Sequence, residues 1–200
     1  MIVPGSWSQA LAASLATLLD EPLAVPEFDR FPDGETFAAV PPVAEASPDR
    51  AVVVAATPSN DAYVELLQLQ DALREAGVDE VVTVVPYMGY GRQDRAFEPG
   101  HPVSARAVAR AVSTGTDRVV LVTPHEASIR DFFDVPCDVV EAAGRLAVPL
   151  HALDAALRDP LFLAPDDGAI EIAEAVRDAY GDGETDYFEK TRHSGTEVTV

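Results

Sequence analysis

The sequence has very little cysteine, very little lysine and no hydrophobic run long enough to cross a membrane. Its single cysteine, Cys137, cannot form an internal disulfide, which is typical of a reducing compartment and predicts a cytoplasmic protein. No apolar stretch reaches the roughly 18 residues that a membrane helix needs. The first residues, MIVPGSW, lack the basic region of a signal peptide. These absences argue against a membrane-spanning or secreted protein.

Basic residues are also scarce, since 14 of them stand against 34 acidic residues and give a net charge of −20. Thirteen are arginine, and Lys190 is the only lysine. Nucleic-acid binding needs a basic face that releases counterions, so this composition argues against it. The carboxylates are spread along the whole chain rather than gathered in a tail. We therefore expect a halophilic protein, in which salt screens the repulsion between surface carboxylates.

Apolar strands alternate with amphipathic helices along the chain. The continuous apolar run at 51–56 is typical of a strand buried on both faces of a parallel sheet, and two further buried strands are predicted at 81–85 and 118–122. Shorter strands are predicted at 2–3, 23–28, 36–40, 161–164 and 197–200. Helices are predicted from Ser6 or Ser8 to about residue 19, from Ser59 or Asn60 to about 76, and over 105–113. In the second helix, Val64, Leu67 and Leu73 lie near one predicted apolar face.

This alternation predicts an α/β fold with a doubly wound, mostly parallel sheet. The change of pattern near 142–150 predicts two domains, residues 1–143 and 144–200, of which the second is incomplete. Ligands of such sheets bind beyond the carboxyl ends of the strands. The segments that follow residues 85, 122 and 164 are therefore the candidate sites.

The segment 86–110 carries four arginines against two acids, so it is locally cationic in a strongly anionic chain. Arginine guanidinium groups at the ligand end of a sheet suit a polyphosphate. The alternative is an ordinary surface loop whose arginines pair with local acids. Gly89, Tyr90 and Gly91 do not form a dinucleotide fingerprint, because Asp94 stands at the third glycine position and no helix begins there.

Three further residues are candidates. His125 follows a buried strand, which favours a functional role, although a lone histidine is more often a hydrogen-bonded structural residue. Asp166 follows the predicted strand at 161–164 and is either a metal ligand or a helix N-cap. Lys190 is the only lysine in a sequence whose other basic residues are all arginine. Either its position requires a compact ammonium group, or the lysine has been retained by chance.

Taken together, several motifs resemble the ribose-phosphate diphosphokinase (phosphoribosyl diphosphate synthetase) family, in its archaeal form. The motifs, in chain order, are FPDGE at 31–35, NDAYVELL at 60–67, PYMGYGRQDR at 86–95, HPVSARAVA at 101–109, DRVVLVTPH with DFFDVP at 117–136, APDDGA at 164–169 and EKTRH at 189–193. The resemblance spans nearly the whole chain. The spacing of FPDGE and the RQDR segment makes it specific.

The resemblance implies two phosphoribosyltransferase-like domains, assembled as a dimer or hexamer, that transfer the β,γ-diphosphoryl group of ATP to ribose 5-phosphate and release AMP. It implies that Phe31, Asp33, Gly34 and Glu35 hold ATP at its adenine, across a subunit boundary. It gives Arg92, Gln93 and Arg95 as further ATP contacts and His125 and Asp166 as Mg²⁺ ligands. Lys190 and Arg192 then belong to a mobile catalytic loop, with Arg192 also at ribose 5-phosphate. This transfer needs charge stabilisation more than covalent chemistry.

The sequence departs from the family at three places. Thr123 replaces an acid that usually precedes the histidine, and Ala169 replaces a glycine. An acidic pair followed by Thr-Gly-Gly-Thr, which holds ribose phosphate in the family, does not occur in these 200 residues. Either the chain is a fragment of the enzyme, or it is a non-catalytic assembly or regulatory partner. An ordinary phosphoribosyltransferase is disfavoured by the same missing loop.

Overall fold

The computed structural model describes residues 1–40, 48–153, 157–189, 191–192 and 198–199, the last two pairs as backbone only. The chain divides into two compact units, Met1–Val140 and Glu141–Val200. Unit 1 contains a five-stranded parallel sheet, and unit 2 contains a smaller parallel pair of strands.

The sheet of unit 1 has its strands in the same order in space as along the chain. The five strands are β1 (Ile2–Pro4), β4 (Arg50–Val54), β5 (Glu80–Val85), β6 (Arg118–Val122) and β7 (Cys137–Val140). Val53 and Val54 point to opposite faces of β4 and both are fully buried. The apolar run at 51–56 therefore contains a strand covered on both faces, as the sequence predicts, whereas β5 and β6 are buried on one face and half-buried on the other. β7 was not predicted.

Helices pack on both faces of this sheet, which confirms the predicted α/β class. They are α1 (Gln9–Leu19), α2 (Asn60–Glu75) and α3 (Ser104–Ser113). On one face, Ala12 and Ala16 of α1 pack against Ile2 and Val54. The buried side chains of α2 and α3 share the other core cluster with alternate residues of the strands, among them Val53.

Helix α2 begins as predicted, because the Ser59 hydroxyl accepts a hydrogen bond from the Ala62 N–H at 3.2 Å. Its buried face differs from the predicted one. Val64 is 42% exposed, whereas Leu73 is buried as expected. The buried residues of α2 are Ala62, Tyr63, Leu66, Leu69, Gln70 and Leu73, and Leu67 is half-buried against the same core. The buried positions recur three or four residues apart, as expected for one face of a helix.

An antiparallel hairpin of β2 (Glu27–Arg30) and β3 (Thr36–Ala39) surrounds the turn at 31–35. β3 lies against α2, and the Gln68 side chain bonds to its backbone at two points. Its Oε1 accepts from the Ala38 N–H at 2.8 Å, and its Nε2 donates to the Thr36 carbonyl at 3.1 Å. The hairpin is thus attached to α2.

Unit 2 pairs β8 (Leu161–Ala164) with β9 (Glu184–Tyr187) in parallel. The short helix α4 (Val148–His151) precedes β8, and α5 (Ile170–Tyr180) connects the two strands. The terminal pair is β10 (Thr191–Arg192) with β11 (Val198–Thr199). Among the described residues, no helix combines the length and apolar character needed to cross a bilayer.

The charge of −20 predicts that salt stabilises the fold. We expect the thermal unfolding midpoint to rise by several degrees between low and molar KCl, because screening weakens repulsion among carboxylates in the folded state. Unfolding followed by circular dichroism measures this rise. A midpoint that stays constant or falls over this range would contradict the prediction.

Candidate functional site

The loops that follow β4, β5 and β6 meet at one edge of the unit 1 sheet, because the strands are parallel. We call this the carboxyl edge. The loop after β5, residues 86–103, is called the arginine loop. Its first part pairs with the segment after β4, through a parallel bridge between Thr57 and Met88. The segments that the sequence selects after residues 85 and 122 therefore lie at one edge of one sheet.

The arginines of the arginine loop and of α3 have no carboxylate partners in the described part of the chain. Arg92, Arg106 and Arg110 are exposed, and Arg95 packs over the Phe97 ring at 5.3 Å. The other arginines of unit 1 are ion-paired: Arg30 with Asp61, Arg50 with Glu80, Arg74 with Asp117, Arg118 with Asp138 and Arg130 with Asp131. In unit 2, Arg177 pairs with Asp178, whereas Arg145 and Arg158 form no ion pair with a described residue. This contrast removes the alternative of a loop neutralised by its own acids.

Gln93 fastens the middle of the arginine loop to the start of α3. Its Oε1 accepts a hydrogen bond from the Ser104 hydroxyl, and its backbone carbonyl accepts from the Ala105 N–H at 3.1 Å. Its own N–H donates to the Tyr90 carbonyl at 3.0 Å. The backbone next to Arg92 is therefore held on both sides, while the Arg92 side chain makes no hydrogen bond or ion pair with another described residue.

Two residues at the carboxyl edge adopt the left-handed backbone region that favours glycine. Tyr90 has φ 61° and the β-branched Thr123, directly after β6, has φ 42°. Such strained positions persist where the surroundings enforce them and they cluster at functional sites. Sequence reasoning offered no signal for either.

His125 lies beside the arginine loop. It is exposed, and a Cβ built on Gly91 would lie 3.6 Å from the His125 Cβ. It makes no hydrogen bond to another described residue, so it is not the hydrogen-bonded structural histidine of the alternative interpretation. Asp166 belongs to unit 2, where it occupies the N-cap position of a short 3-10 turn at Asp167–Ala169.

The turn at 31–35, here called the FPDGE turn, is closed by its own backbone. The Phe31 N–H donates to the Glu35 carbonyl at 2.8 Å, and the Asp33 carboxylate accepts from the Glu35 N–H at 3.2 Å. Gly34 has φ 96°, which explains a glycine at this position. The Phe31 ring is 50% exposed and meets Phe37 edge-on at 5.7 Å. A half-exposed aromatic ring on a closed turn is available to stack on a flat ligand.

Phe31→Ala should lower nucleotide affinity without unfolding the protein, because its exposed ring contributes little to the core. We expect roughly a three- to tenfold loss of ATP affinity, the value of one stacking contact. Calorimetry with ATP and a denaturation curve measure the two quantities. Leu18→Ala is the control, since Leu18 is 80% exposed and lies on α1. A large loss of stability with unchanged affinity would contradict the prediction.

Of the two predicted catalytic residues, Lys190 lies outside the described residues, and for Arg192 only the backbone, in β10, is described. The structure instead adds residues that sequence reasoning missed. Thr57, Asn60 and Tyr63 bond to the arginine loop, and only their place in the NDAYVELL motif could have drawn attention to the last two.

Comparisons with known proteins agree with the fold and the motifs. A sequence profile of the N-terminal domain of ribose phosphate pyrophosphokinase matches residues 1–115. A ribose-phosphate pyrophosphokinase from Halobacterium salinarum is 58% identical over 200 residues, which are 100% of this chain and 69% of that protein. One from Methanopyrus kandleri is 45% identical over 203 residues, covering 100% of this chain and 68% of that protein.

A crystal structure of phosphoribosylpyrophosphate synthetase from Mycobacterium smegmatis is also similar. The TM-score is 0.78 at 28% identity, and the match covers 100% of this chain and 66% of that one. The chain thus spans about two thirds of the length of these relatives. The Halobacterium relative also fits the expectation of a halophilic protein. This chain belongs to the ribose-phosphate pyrophosphokinase family, and its sequence and fold both carry the family's N-terminal domain.

Proposed function

We propose that the chain binds ATP·Mg²⁺ at the carboxyl edge of unit 1 and serves the transfer of the β,γ-diphosphoryl group of ATP to ribose 5-phosphate. The observation that carries this proposal is the set of unpaired arginines around Arg92 in a chain of net charge −20. An unpaired guanidinium group at a sheet's ligand edge is matched by phosphate oxygens. The family membership supplies the reaction.

In this reaction the anomeric hydroxyl of ribose 5-phosphate attacks the β-phosphorus of ATP. A new O–P bond forms, the bond from the β-phosphorus to the α,β-bridging oxygen breaks, the hydroxyl proton is lost and AMP leaves. Arg92 and Arg95 neutralise phosphate charge, and Phe31, Asp33, Gly34 and Glu35 hold the adenine. Negative charge builds on the equatorial oxygens, so additional cationic donors lower the barrier. Lys190 and Arg192 are proposed for that role, Arg192 also at ribose 5-phosphate.

The donor groups present fit a Mg²⁺ ion that arrives on ATP rather than one held in a protein cage. No three His, Cys, Asp or Glu side chains come together within the described ranges in a way that could hold a metal ion. Mg²⁺ bound through phosphate oxygens and water needs only one or two protein ligands. By the family resemblance, we propose His125 and Asp166 as Mg²⁺ ligands. Mg²⁺ would neutralise charge on the phosphates.

We further propose a cytoplasmic homo-oligomer, a dimer or hexamer, with domains at 1–143 and 144–200, and no nucleic-acid or membrane partner. The alternative was a non-catalytic assembly or regulatory partner. The comparisons give it no support, because the matching relatives are ribose-phosphate pyrophosphokinases.

The test measures binding and turnover separately. The 200-residue polypeptide in molar KCl should bind ATP·Mg²⁺ by calorimetry and should form no AMP with ribose 5-phosphate, because the Thr-Gly-Gly-Thr loop is not in its sequence. A fusion with the part of the Halobacterium salinarum relative that the match does not cover should form AMP only when ribose 5-phosphate is present. No ATP binding by either protein would overturn the proposal.

A further inference from the structure

Helix α1 contains no charged residue, although 24% of the residues of the chain are charged. Among the longer described helices, α1, α2, α3 and α5, it is the only one without aspartate, glutamate, lysine or arginine. We propose that the outward side of α1 is a contact face at which two copies of this chain pack against each other. This inference goes beyond the proposed function, which includes a homo-oligomer but assigns no surface to it, and it does not depend on ATP binding.

The exposed residues of α1 from position 11 onward, here called the α1 face, are Leu11, Ser14, Thr17, Leu18 and Leu19. The opposite side of the helix, with Ala12 and Ala16, is buried against the sheet. Leu18 is 80% exposed and Leu19 is 57% exposed. Leu11, Ser14 and Leu18 follow one another at steps of three and four residues, so they form one stripe along the helix. A surface that leaves several leucines in water is typical of an interaction site.

The two polar side chains of the α1 face are satisfied by the helix itself. The Ser14 hydroxyl donates to the Ala10 carbonyl at 3.0 Å, and the Thr17 hydroxyl donates to the Ala13 carbonyl at 3.0 Å. Another protein surface can therefore cover these side chains without leaving a hydrogen-bond donor unpaired. In a contact, the whole α1 face behaves as an apolar surface.

The charge of the chain decides which partner suits the α1 face. Two copies of net charge −20 repel each other, so they associate closely only where neither copy brings carboxylates to the contact. A contact around a twofold axis uses the same face of both copies. Packing α1 of one copy against α1 of the other therefore brings no two like charges together at the centre of the contact.

The two ends of α1 are also complementary when the two helices run antiparallel. The amino end carries a partial positive charge from the helix dipole, and its first turn holds no acidic residue. The Ser8 hydroxyl does not cap this end, because it accepts a hydrogen bond from the Ala56 N–H at 2.8 Å. Asp20 follows the carboxyl end, is exposed and forms no ion pair with a described residue. Antiparallel packing places Asp20 of each copy beside the amino end of the other helix.

The part of the relatives that the match leaves out is the other candidate to cover α1, and unit 2 offers it a more suitable surface. The sheet of unit 1 already has helices on both faces, and the profile of the N-terminal domain matches residues 1–115. The described parallel sheet of unit 2 has two strands and leaves Leu161 and Leu163 of β8 exposed. Parallel sheets are normally covered on both faces, so further chain would complete this sheet.

The α1 face is also separate from the FPDGE turn. α1 packs on the sheet face opposite to α2, whereas the hairpin that carries this turn lies against α2. The contact between copies through α1 is therefore distinct from the proposed reach of the FPDGE turn into a neighbouring site. The two proposals can be tested separately.

Sedimentation velocity in molar KCl measures the association of the 200-residue polypeptide. We expect the unmodified chain to sediment as a dimer or a larger assembly. Leu18→Glu should raise the concentration needed for association at least about a hundredfold, because a carboxylate of each copy must lose its water at the contact. The matched control is Val64→Glu, which should leave association unchanged, because Val64 is an exposed aliphatic residue of α2 on the other face of the sheet. Circular dichroism establishes that both variants are folded.

Cross-linking tests whether the two α1 faces meet each other. Cys137→Ala removes the only native cysteine. In that background, Ser14→Cys should give a disulfide-linked dimer under mild oxidation, because Ser14 lies in the middle of the stripe and a disulfide needs Cα atoms about 4.4–6.8 Å apart. Val64→Cys in the same background should stay monomeric on a non-reducing gel. The fusion with the remaining part of the Halobacterium salinarum relative, cysteine-free except at position 14, should cross-link as the shorter polypeptide does.

Each other outcome overturns the inference. A monomeric unmodified chain would do so, and so would equal association of Leu18→Glu and Val64→Glu. Loss of association in Leu18→Glu without cross-linking of Ser14→Cys would place a different surface of the second copy against α1. Cross-linking of the shorter polypeptide but not of the fusion would show that α1 is covered within one longer chain. Because ATP binding is measured separately, none of these results overturns the proposed ATP site, and a failure of ATP binding leaves this inference standing.

Discussion

Replacing Arg92 with alanine should weaken ATP binding about 10- to 150-fold. A charge-assisted hydrogen bond to phosphate contributes roughly 1.5–3 kcal/mol, and no carboxylate in the described part of the chain competes for this guanidinium group. The Arg92 side chain is exposed, so its removal should leave the free energy of unfolding almost unchanged. Calorimetric titration with ATP·Mg²⁺ measures the affinity.

Arg118→Ala is the matched control for Arg92→Ala. It also removes an exposed guanidinium group, but Arg118 is paired with Asp138 and begins β6 at the amino edge of the sheet. ATP affinity should not change in this variant. If both arginine variants bind ATP as the unmodified chain does, the arginine loop does not belong to the ATP site.

Gly89→Ala should lower both folding stability and ATP affinity, because it displaces the backbone of the arginine loop. The added Cβ would lie 2.3 Å from the Thr57 carbonyl oxygen, so the loop must move and lose its bonds to Thr57 and Tyr63. Overpacking of this kind costs about 1–3 kcal/mol of folding stability. The displaced loop should also lower ATP affinity at least about tenfold, since two hydrogen bonds that position it are lost.

Gly77→Ala provides the comparison for Gly89→Ala. Gly77 follows the far end of α2 with φ 83°, and a Cβ there would meet nothing within 4 Å. The substitution should cost roughly 1–2 kcal/mol of stability through backbone strain and leave ATP affinity intact. Equal ATP affinity in both glycine variants would show that the Gly89 contact does not position the loop.

The parts of the fold that the sequence predicted well are those dictated by local pattern. The strands at Arg118–Val122 and Leu161–Ala164 have the predicted bounds, and the apolar run at 81–85 is extended by one residue. A short run of mostly apolar residues is a local signal for a strand. β7 and β9 leave no such signal, because each has four residues and includes at least one aspartate.

The site was predicted less completely, for a physical reason. A local excess of arginine is visible in the sequence, so Arg92 is a candidate from sequence alone, and it forms no ion pair with a described residue. The hydrogen bond from Tyr63 to Gly89 joins residues 26 positions apart and depends on how α2 packs beside β5. No local periodicity encodes such a contact. For the same reason, the buried face of α2 was predicted with Val64 in it, although Val64 is exposed.

Amide hydrogen exchange with and without ATP·Mg²⁺ tests most directly whether the carboxyl edge of unit 1 is the ATP site. We predict slower exchange on ATP addition in peptides that contain residues 87–95 and 31–35, and no change in those from α1. Bound ATP should restrict the opening of the loops that hold it. Unchanged exchange at residues 87–95 under saturating ATP, with protection elsewhere in the chain, would contradict the assignment of this site.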